Sequence, residues 1–327
     1  GLEPLRGATL VVDALFGTGL SRPIDGASLA ALAVRLASAG RAFVVAVDLP
    51  SGLDAGSGRA ESPHVRADLT VTFGTPKVAH LEAPAAGECG RIVVADIGLL
   101  PQSADGSGPE AVTALDVAPL FPPRPAAAHK GTFGTLAVVG GARGMAGAAA
   151  LAARAAFRSG AGKVVVVAEE ASRDAIHSLV AEATTASALP ALPFTAVAVG
   201  PGLGTGDASR SLLEAALAAN VPAVVDADGL NLLAGRLESV AARGAPTVLT
   251  PHPGEASRLL DVPTGAIVRD PERAARRVAF LSGAVVVLKG FRSVVASRDG
   301  RTARVLAGNP GMATGGAGDV LTGVVGA

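Results

Sequence analysis

The sequence predicts an α/β protein made of two successive units, each a parallel sheet with helices around it. Three observations carry that reading. Short aliphatic and β-branched runs recur along the chain at spacings that leave room for a helix between them. Nearly every run empties into a loop of glycine plus one or two polar residues, the pattern expected at the carboxyl ends of strands in a doubly wound sheet. Hydrophobic residues make up 49 % of the chain but aromatics only 3 %, with no Trp and no Tyr. Ala, Val, Leu and Gly must therefore form the core, which suits closely stacked layers.

Length and charge bound the function. The 327 residues suffice for two domains of ordinary size. Lys+Arg and Asp+Glu both number 28, so no basic excess argues for nucleic acid or an anionic membrane. No apolar run reaches the roughly 18 residues of a membrane span. The lone Cys89 excludes an internal disulfide and fits a reducing, cytoplasmic setting. Both ends read as cut: Gly1 opens without a signal-like segment, and Ala327 falls inside an apparent helix.

Taken in order, Thr9 to Leu15 is a buried strand closed by the Gly-rich Phe16-Gly17-Thr18-Gly19-Leu20. Ser28 to Ser38 has helical apolar spacing and is stopped by Gly40. Phe43 to Val47 is a strand ending in Asp48-Leu49-Pro50-Ser51-Gly52; Leu69 to Phe73 and Arg91 to Val94 are two more. Asp13, Asp48 and Ser51 all fall at strand ends, where ligands of such sheets bind. The two aspartates are also suited to cap the helices that follow. Residues 101–128 turn polar, Gly/Ser-rich and then Pro-rich, and read as a linker with one short helix at Ala114 to Leu120. This divides the chain into 1–100, 101–128 and 129–327.

The second series repeats the pattern. Thr135 to Val139 leads into Gly140–Gly147 and an alanine-rich helix from Ala148 to Ser159. Lys163 to Val167 follows, then Ala196 to Val199 with Gly200-Pro201-Gly202-Leu203-Gly204. Ala223 to Val225 runs into Asp226-Ala227-Asp228-Gly229-Leu230-Asn231, whose aspartates read as turn formers. Thr247 to Leu249 ends in Thr250-Pro251-His252-Pro253-Gly254-Glu255, and Val285 to Leu288 ends in Lys289-Gly290. So many glycine-polar strand ends point to one shared cleft. Last comes Gly308 to Asp319, with five glycines in eleven residues, feeding a helix near Asp319. Its successive N–H groups and the helix start make an anion site. A flexible turn with an N-capping Asp is the other reading.

Ordinary motifs are absent. Gly162-Lys163-Val164 is no P-loop, Gly140 to Gly144 lacks dinucleotide spacing, and Ser51 is not in a nucleophile elbow. The five scattered His and single Cys offer no zinc site.

Seven motifs in order resemble the ADP-dependent NAD(P)H-hydrate dehydratase domain of the ribokinase-like superfamily. They are His129-Lys130-Gly131, Gly140 to Ala148, Gly200 to Gly204, Asp226 to Asn231, Thr250 to Glu255, Leu288-Lys289-Gly290 and Gly308 to Asp319. The likeness runs from about Gly108 to the end. Asp13 to Leu20 and Asp48 to Gly52 resemble the carboxyl half of the NAD(P)H-hydrate epimerase domain. Together they look like the bifunctional nicotinamide-nucleotide repair family, without the Asn- and Gly-rich epimerase loop and without the last dehydratase helices. The fold implied is a partial Rossmann-like unit followed by a ribokinase-like three-layer α/β unit, both truncated.

The resemblance implies ADP-dependent dehydration of the S epimer of hydrated NADH or NADPH, releasing AMP and phosphate. The epimerase unit would interconvert the R and S hydrates. Asp319 would orient and deprotonate the hydroxyl, the amides of Gly315 to Gly318 would hold the phosphate, and Mg2+ would screen it. Lys289, Gly290, Phe291, Arg292, Ser293 and Gly318 match nucleotide-contacting positions. Ala148, Gly202 or Gly204, His252 and Asp319 match hydrate-binding ones. In the first unit Gly17, Thr18, Gly19, Leu20, Ser21, Arg22, Pro23 and Asp48 match hydrate-binding positions, and Asp13 and Ser51 match a potassium site (K+). Without the front loop this half-site is expected to be inactive. A homo-oligomer is compatible with the family. The alternative enzyme is an ATP-dependent vitamin-precursor kinase of the same superfamily, disfavoured by the epimerase-like segment in front.

Pro122 to Pro125 is too stiff and donor-poor for a sheet interior. Limited proteolysis is therefore expected to cut between residues 101 and 128. Protection there, with cleavage within 130–320 instead, would count against two domains.

Overall fold

A computed structural model describes residues 8–18, 42–60, 63–98, 110–189 and 194–327. The helix expected at Ser28 to Ser38 and the positions Gly19, Leu20, Ser21, Arg22 and Pro23 lie outside them. The chain divides into two compact units, Gly1–Ala111 and Val112–Ala327.

In the first unit β1 (Leu10–Asp13), β2 (Phe43–Val47), β3 (Leu69–Phe73) and β4 (Arg91–Ala95) form a parallel sheet in that order. Period-2 alternation buries Val11 and Asp13 while Leu10 and Val12 stay exposed. Val44, Ala46, Val65 and Ala67 form one small core; Leu49, Leu53, Ala79, Ala85 and Cys89 form another. Cys89 is fully buried, its thiol donating to the Ala85 carbonyl at 3.4 Å.

The second sheet has ten strands in the order β5-β14-β13-β12-β11-β10-β9-β6-β7-β8. They are β5 (Glu110–Val112), β6 (Thr135–Val139), β7 (Lys163–Val167), β8 (Thr184–Ala186), β9 (Ala196–Val199), β10 (Ala223–Val225), β11 (Thr247–Leu249), β12 (Val285–Leu288), β13 (Val294–Ala296) and β14 (Thr302–Val305). From β12 to β8 every pairing is parallel; β12–β13 and β13–β14 are antiparallel. The interval read as a linker carries β5, a helix at Ala114–Val117 and a 3-10 turn at Ala118–Leu120.

From β6, in mid-sheet, the chain moves one way to β7 and β8, then returns to β9 on the other side of β6. The strand order therefore reverses between β6 and β9, which opens a crevice at their carboxyl ends. Glycine is required there. A Cβ on Gly140 would lie 2.1 Å from the Pro201 carbonyl oxygen, and the Gly141 and Ala142 amides donate to the Pro201 and Gly202 carbonyls at 3.0 and 2.7 Å.

Small residues also set the helix layer. Ala146–Ser159 buries Ala149, Ala150, Ala152, Ala153, Ala155 and Ala156. The C-terminal helix Ala317–Gly326 lies against it so closely that a Cβ on Gly323 would meet the Ala152 carbonyl at 2.0 Å. Among the described residues no helix is long and apolar enough to cross a membrane.

One arginine holds a helix end together. Arg243 donates to the carbonyls of Ala216, Leu217, Ala219 and Val221 and to the Thr247 hydroxyl, around the end of helix Asp207–Ala218. Those carbonyls have no intrahelical partners. Arg243→Ala is expected to cost ~2–4 kcal/mol in denaturant unfolding. A loss below ~0.5 kcal/mol would show that water replaces the cap.

Candidate active site

Six loops converge on the crevice: those after β6, β9, β10, β11 and β12, and the Gly308–Gly316 run before the C-terminal helix. Their charged residues form one network. Asp226, at the end of β10, is 1 % exposed. Its Oδ1 accepts from Lys289 Nζ at 2.6 Å and its Oδ2 from the Thr322 hydroxyl at 2.7 Å. Lys289 Nζ also lies 3.8 Å from Glu255 Oε2. The next residue, Ala227, has φ 50° and ψ −122°, a strained conformation for a side chain with a Cβ. That bend sends Asp226 inward and Asp228 the other way, where Asp228 accepts from the Gly204 amide at 2.8 Å.

His252 caps helix Pro253–Leu260. Its Nδ1 accepts from the Gly254 and Glu255 amides at 2.9 and 3.4 Å, while Glu255 Oε2 accepts from the His252 amide at 2.7 Å. This is a reciprocal capping box, with His in the place usually taken by Ser or Thr. An accepting Nδ1 puts the proton on Nε2, 3.3 Å from Glu255 Oε1. Burial, then the cations Lys289 and Arg258, lowers the His252 pKa and keeps the ring neutral. Burial raises that of Glu255, against the His252 amide and Lys289. The imidazole is still half-exposed to the cleft.

Asp319 lies in the first turn of helix Ala317–Gly326, directly after the glycine run. Gly316, at φ 89°, caps this helix, and first-turn N–H groups have no intrahelical acceptor. The carboxyl of Asp319 is half-buried, and its pKa is raised by burial first, then by the negative charges of Asp226 and Asp228, with Lys289 opposing.

Lys289–Ser293 forms the turn between β12 and β13. Ser293 Oγ accepts from the Gly290 amide at 3.3 Å, and the exposed Phe291 ring lies 5.1 Å from the Arg292 guanidinium. Gly202 packs on Ala148, since a Cβ there would stand 3.1 Å from that of Ala148; Gly204 instead faces Ser209 and Ala142. The structure thus gathers Ala148, Gly202, Gly204, His252, Lys289, Gly318 and Asp319 around one crevice. Sequence reasoning left out Asp226, Glu255 and Thr322, which brace them.

In the first unit Asp13 Oδ1 accepts from Ser51 Oγ at 2.6 Å and Oδ2 from the Ser51 amide at 2.8 Å; the Phe16 carbonyl is 3.4 Å from Ser51 Oγ. Asp48, at φ 68°, accepts on Oδ1 from Lys77 Nζ (2.6 Å) and Thr72 (2.9 Å). Burial raises the Asp48 carboxyl, but these two donors outweigh it and hold the group below its usual range. Oδ2 turns towards Gly17, whose Cβ would lie 3.8 Å away. Buried His80 ties this corner: its Nδ1 accepts from the Lys77 amide at 2.9 Å and its Nε2 lies 3.0 Å from the Asp48 carbonyl. Thr72, Lys77 and His80 were not among the expected site residues. Among the described residues no three His, Cys, Asp or Glu side chains gather as a metal site.

The family model for NAD(P)H-hydrate dehydratase matches residues 136–327, and that for the YjeF-related protein N-terminus matches residues 2–79. The bifunctional NAD(P)H-hydrate repair enzyme of Moorella thermoacetica is 40 % identical over 97 % of the chain, which spans 63 % of that relative's length. Its counterpart in Mycobacterium tuberculosis is 40 % identical over the whole chain and 66 % of its own length. The ADP/ATP-dependent NAD(P)H-hydrate dehydratase of Bacillus subtilis, crystallised with ATP and Mg2+, superposes at TM-score 0.63 with 34 % identity, over 67 % of this chain and 80 % of that one.

Proposed function

The chain belongs to the NAD(P)H-hydrate dehydratase family, with a YjeF-related segment ahead of it, and we propose that its second unit restores hydrated NADH or NADPH by nucleotide-dependent dehydration. The observation that carries this reading is the half-buried Asp319 carboxylate at the start of a helix, directly after a glycine run. A carboxylate repels phosphate, so its presence in an anion cradle calls for chemistry.

Hydroxide is a poor leaving group from C6 of the hydrated ring. Asp319 takes the proton of that hydroxyl as its oxygen attacks the terminal phosphorus of ADP. The new C6–O–P ester forms as the P–O bond to AMP breaks; the ring nitrogen lone pair then expels phosphate, and the C5 proton passes to water as its C–H electrons form the C5–C6 double bond. Phosphoryl transfer has a loose transition state, so positioning by the amides of Gly315 to Gly318 outweighs base strength. Phe291 and Arg292, with Lys289, Gly290 and Ser293, line the nucleotide side; His252, Ala148, Gly202 and Gly204 line the hydrate side.

Mg2+ bound with the nucleotide would neutralise part of the phosphate charge, as suits the Bacillus subtilis relative crystallised with ATP and Mg2+. For the first unit we assign hydrate binding at Gly17, Thr18 and Asp48, with the oxygens of Asp13, Ser51 and Phe16 suited to K+. The division into two domains, joined through residues 101–128, belongs to the same reading.

The test is to incubate the protein with hydrated NADH and ADP. Return of reduced-nicotinamide absorbance with release of AMP and phosphate is expected. Conversion of ATP to ADP with a stable phosphorylated product would indicate a small-molecule kinase instead.

A further inference from the structure

Beneath the glycine loop lies a buried carboxylate, Asp226, to which the chemistry above gives no part. Asp226 is almost wholly buried, yet both of its oxygens are occupied, by Lys289 Nζ at 2.6 Å and by the Thr322 hydroxyl at 2.7 Å. Thr322 is itself buried, and its hydroxyl also lies 3.1 Å from the carbonyl of Gly318, one turn earlier. The glycine backbone rests directly on this pair: a Cβ on Gly318 would stand 3.4 Å from Lys289 Nζ and 3.6 Å from Asp226 Oδ2. One carboxylate at the end of β10 thus grips the end of β12 and, through Thr322 in the second turn, the Asp319 helix together.

Stability alone does not account for an ion pair here. Burying two charges costs about as much as their attraction returns, and an apolar pair of similar volume often does as well. The strained backbone of Ala227, which follows Asp226, adds a further cost. A costly, fully bonded carboxylate beneath a loop is better suited to holding that loop in one place.

We propose that Asp226 is a positioning residue for Asp319, fixing the direction of its carboxylate through Thr322 and the charge around it through Lys289, without touching substrate. The proposal rests on Asp319 being the base of the reaction. The charged groups acting on Asp319 are Asp226 after β10, Asp228 in helix Asp228–Leu232 and Lys289 after β12. Glu255 and His252, from helix Pro253–Leu260 and its cap, act on the same Lys289. Helix Ala146–Ser159 meets the Asp319 helix through Leu151, Ala152 and Ala155.

The signs follow. Asp226→Asn removes a negative charge near Asp319 and leaves the Lys289 ammonium without its main counter-charge. Both changes favour ionised Asp319. The base is active when deprotonated, so the acid limb of the kcat profile moves to lower pH, by about one unit. Lys289→Met does the opposite and moves the limb up. The double variant removes both charges and returns it close to wild type. Thr322→Val leaves the charges in place and loosens the turn, so kcat falls several-fold while KM for nucleotide and the acid limb hold.

Two readouts decide the matter: kcat against pH for the four variants, and 13C titration of the Asp319 carboxyl, assigned by comparison with Asp319→Asn. The second needs no turnover. Opposite shifts in the two single variants support the proposal, and the isosteric double and Thr322→Val variants test it even where a single variant misfolds. An Asp319 titration that stays put in both, or moves the same way in both, overturns it. Shifts of the stated sign in the variants, with no turnover by the wild type, would support the placement of Asp226 and sink the dehydratase reading.

Discussion

Replacing Asp319 with alanine is expected to cut turnover at least ~10²-fold, the loss typical of a missing general base, while ADP binding holds or tightens slightly. The carboxylate stands where a nucleotide phosphate would meet the first-turn amides, so removing it removes repulsion. Nothing structural depends on its side chain to the same degree: the turn is braced by Thr322 on Asp226, and Gly316 rather than Asp319 caps the helix. Calorimetric titration with ADP, beside kcat from recovered absorbance, separates the two effects. Asp319→Asn should behave like Asp319→Ala, because an amide cannot take the proton. A variant that loses nucleotide affinity but keeps turnover per bound nucleotide would make Asp319 a structural element of the loop and would end the proposed mechanism.

Much of this arrangement was legible in the chain, for physical reasons. A parallel strand covered on both faces must be a continuous aliphatic run, and its end must turn sharply. Thr135–Val139, Lys163–Val167, Ala196–Val199 and Val285–Leu288 could therefore be read with their bounds. The antiparallel strands Val294–Ala296 and Thr302–Val305 could not. They are short, and the second contains Arg304, a charge that is nevertheless buried. The site was legible only as a collection of loops. Asp226 and Lys289 are 63 residues apart, and Asp226 and Thr322 are 96 apart. Only the β9-β10-β11-β12 strand order brings these ends together. Asp226 itself looked like a turn former, since Asp-x-Asp-Gly is ordinary turn chemistry. Its inward direction depends on the unusual backbone of Ala227, which the Ala codon does not announce. In the first unit, Lys77 and His80 were hidden for a similar reason: each reaches back some thirty residues in sequence to the same Asp48.

The largest stability loss is expected from Gly200→Ala. Gly200 ends β9 at the point where strand order reverses, with φ at 129°, outside the range that L side chains adopt. A Cβ built there would lie 1.7 Å from the Asp226 carbonyl oxygen, 2.8 Å from its carbon and 3.0 Å from the Gly229 nitrogen. All three are backbone atoms, so no side chain can swing aside. The backbone is pinned as well: the Gly200 amide donates to Val139 at 3.0 Å, and the Asp226 amide donates to Val199 at 3.1 Å, joining β6, β9 and β10. Relief of the clash must part β9 from β10 and shift Asp226 with its hold on Lys289 and Thr322. A loss above ~4 kcal/mol is expected, enough to leave little folded protein. Gly144→Ala supplies the control. It has φ 83° in the neighbouring loop, but its Cβ would meet nothing within 4 Å. It should cost only the ~1–2 kcal/mol of a left-handed backbone. Denaturant midpoints of the two variants isolate the contact from the backbone angle. Equal losses would mean that the switch point yields to a methyl group, and that the carbonyl contact at Gly200 does not hold the crevice in shape.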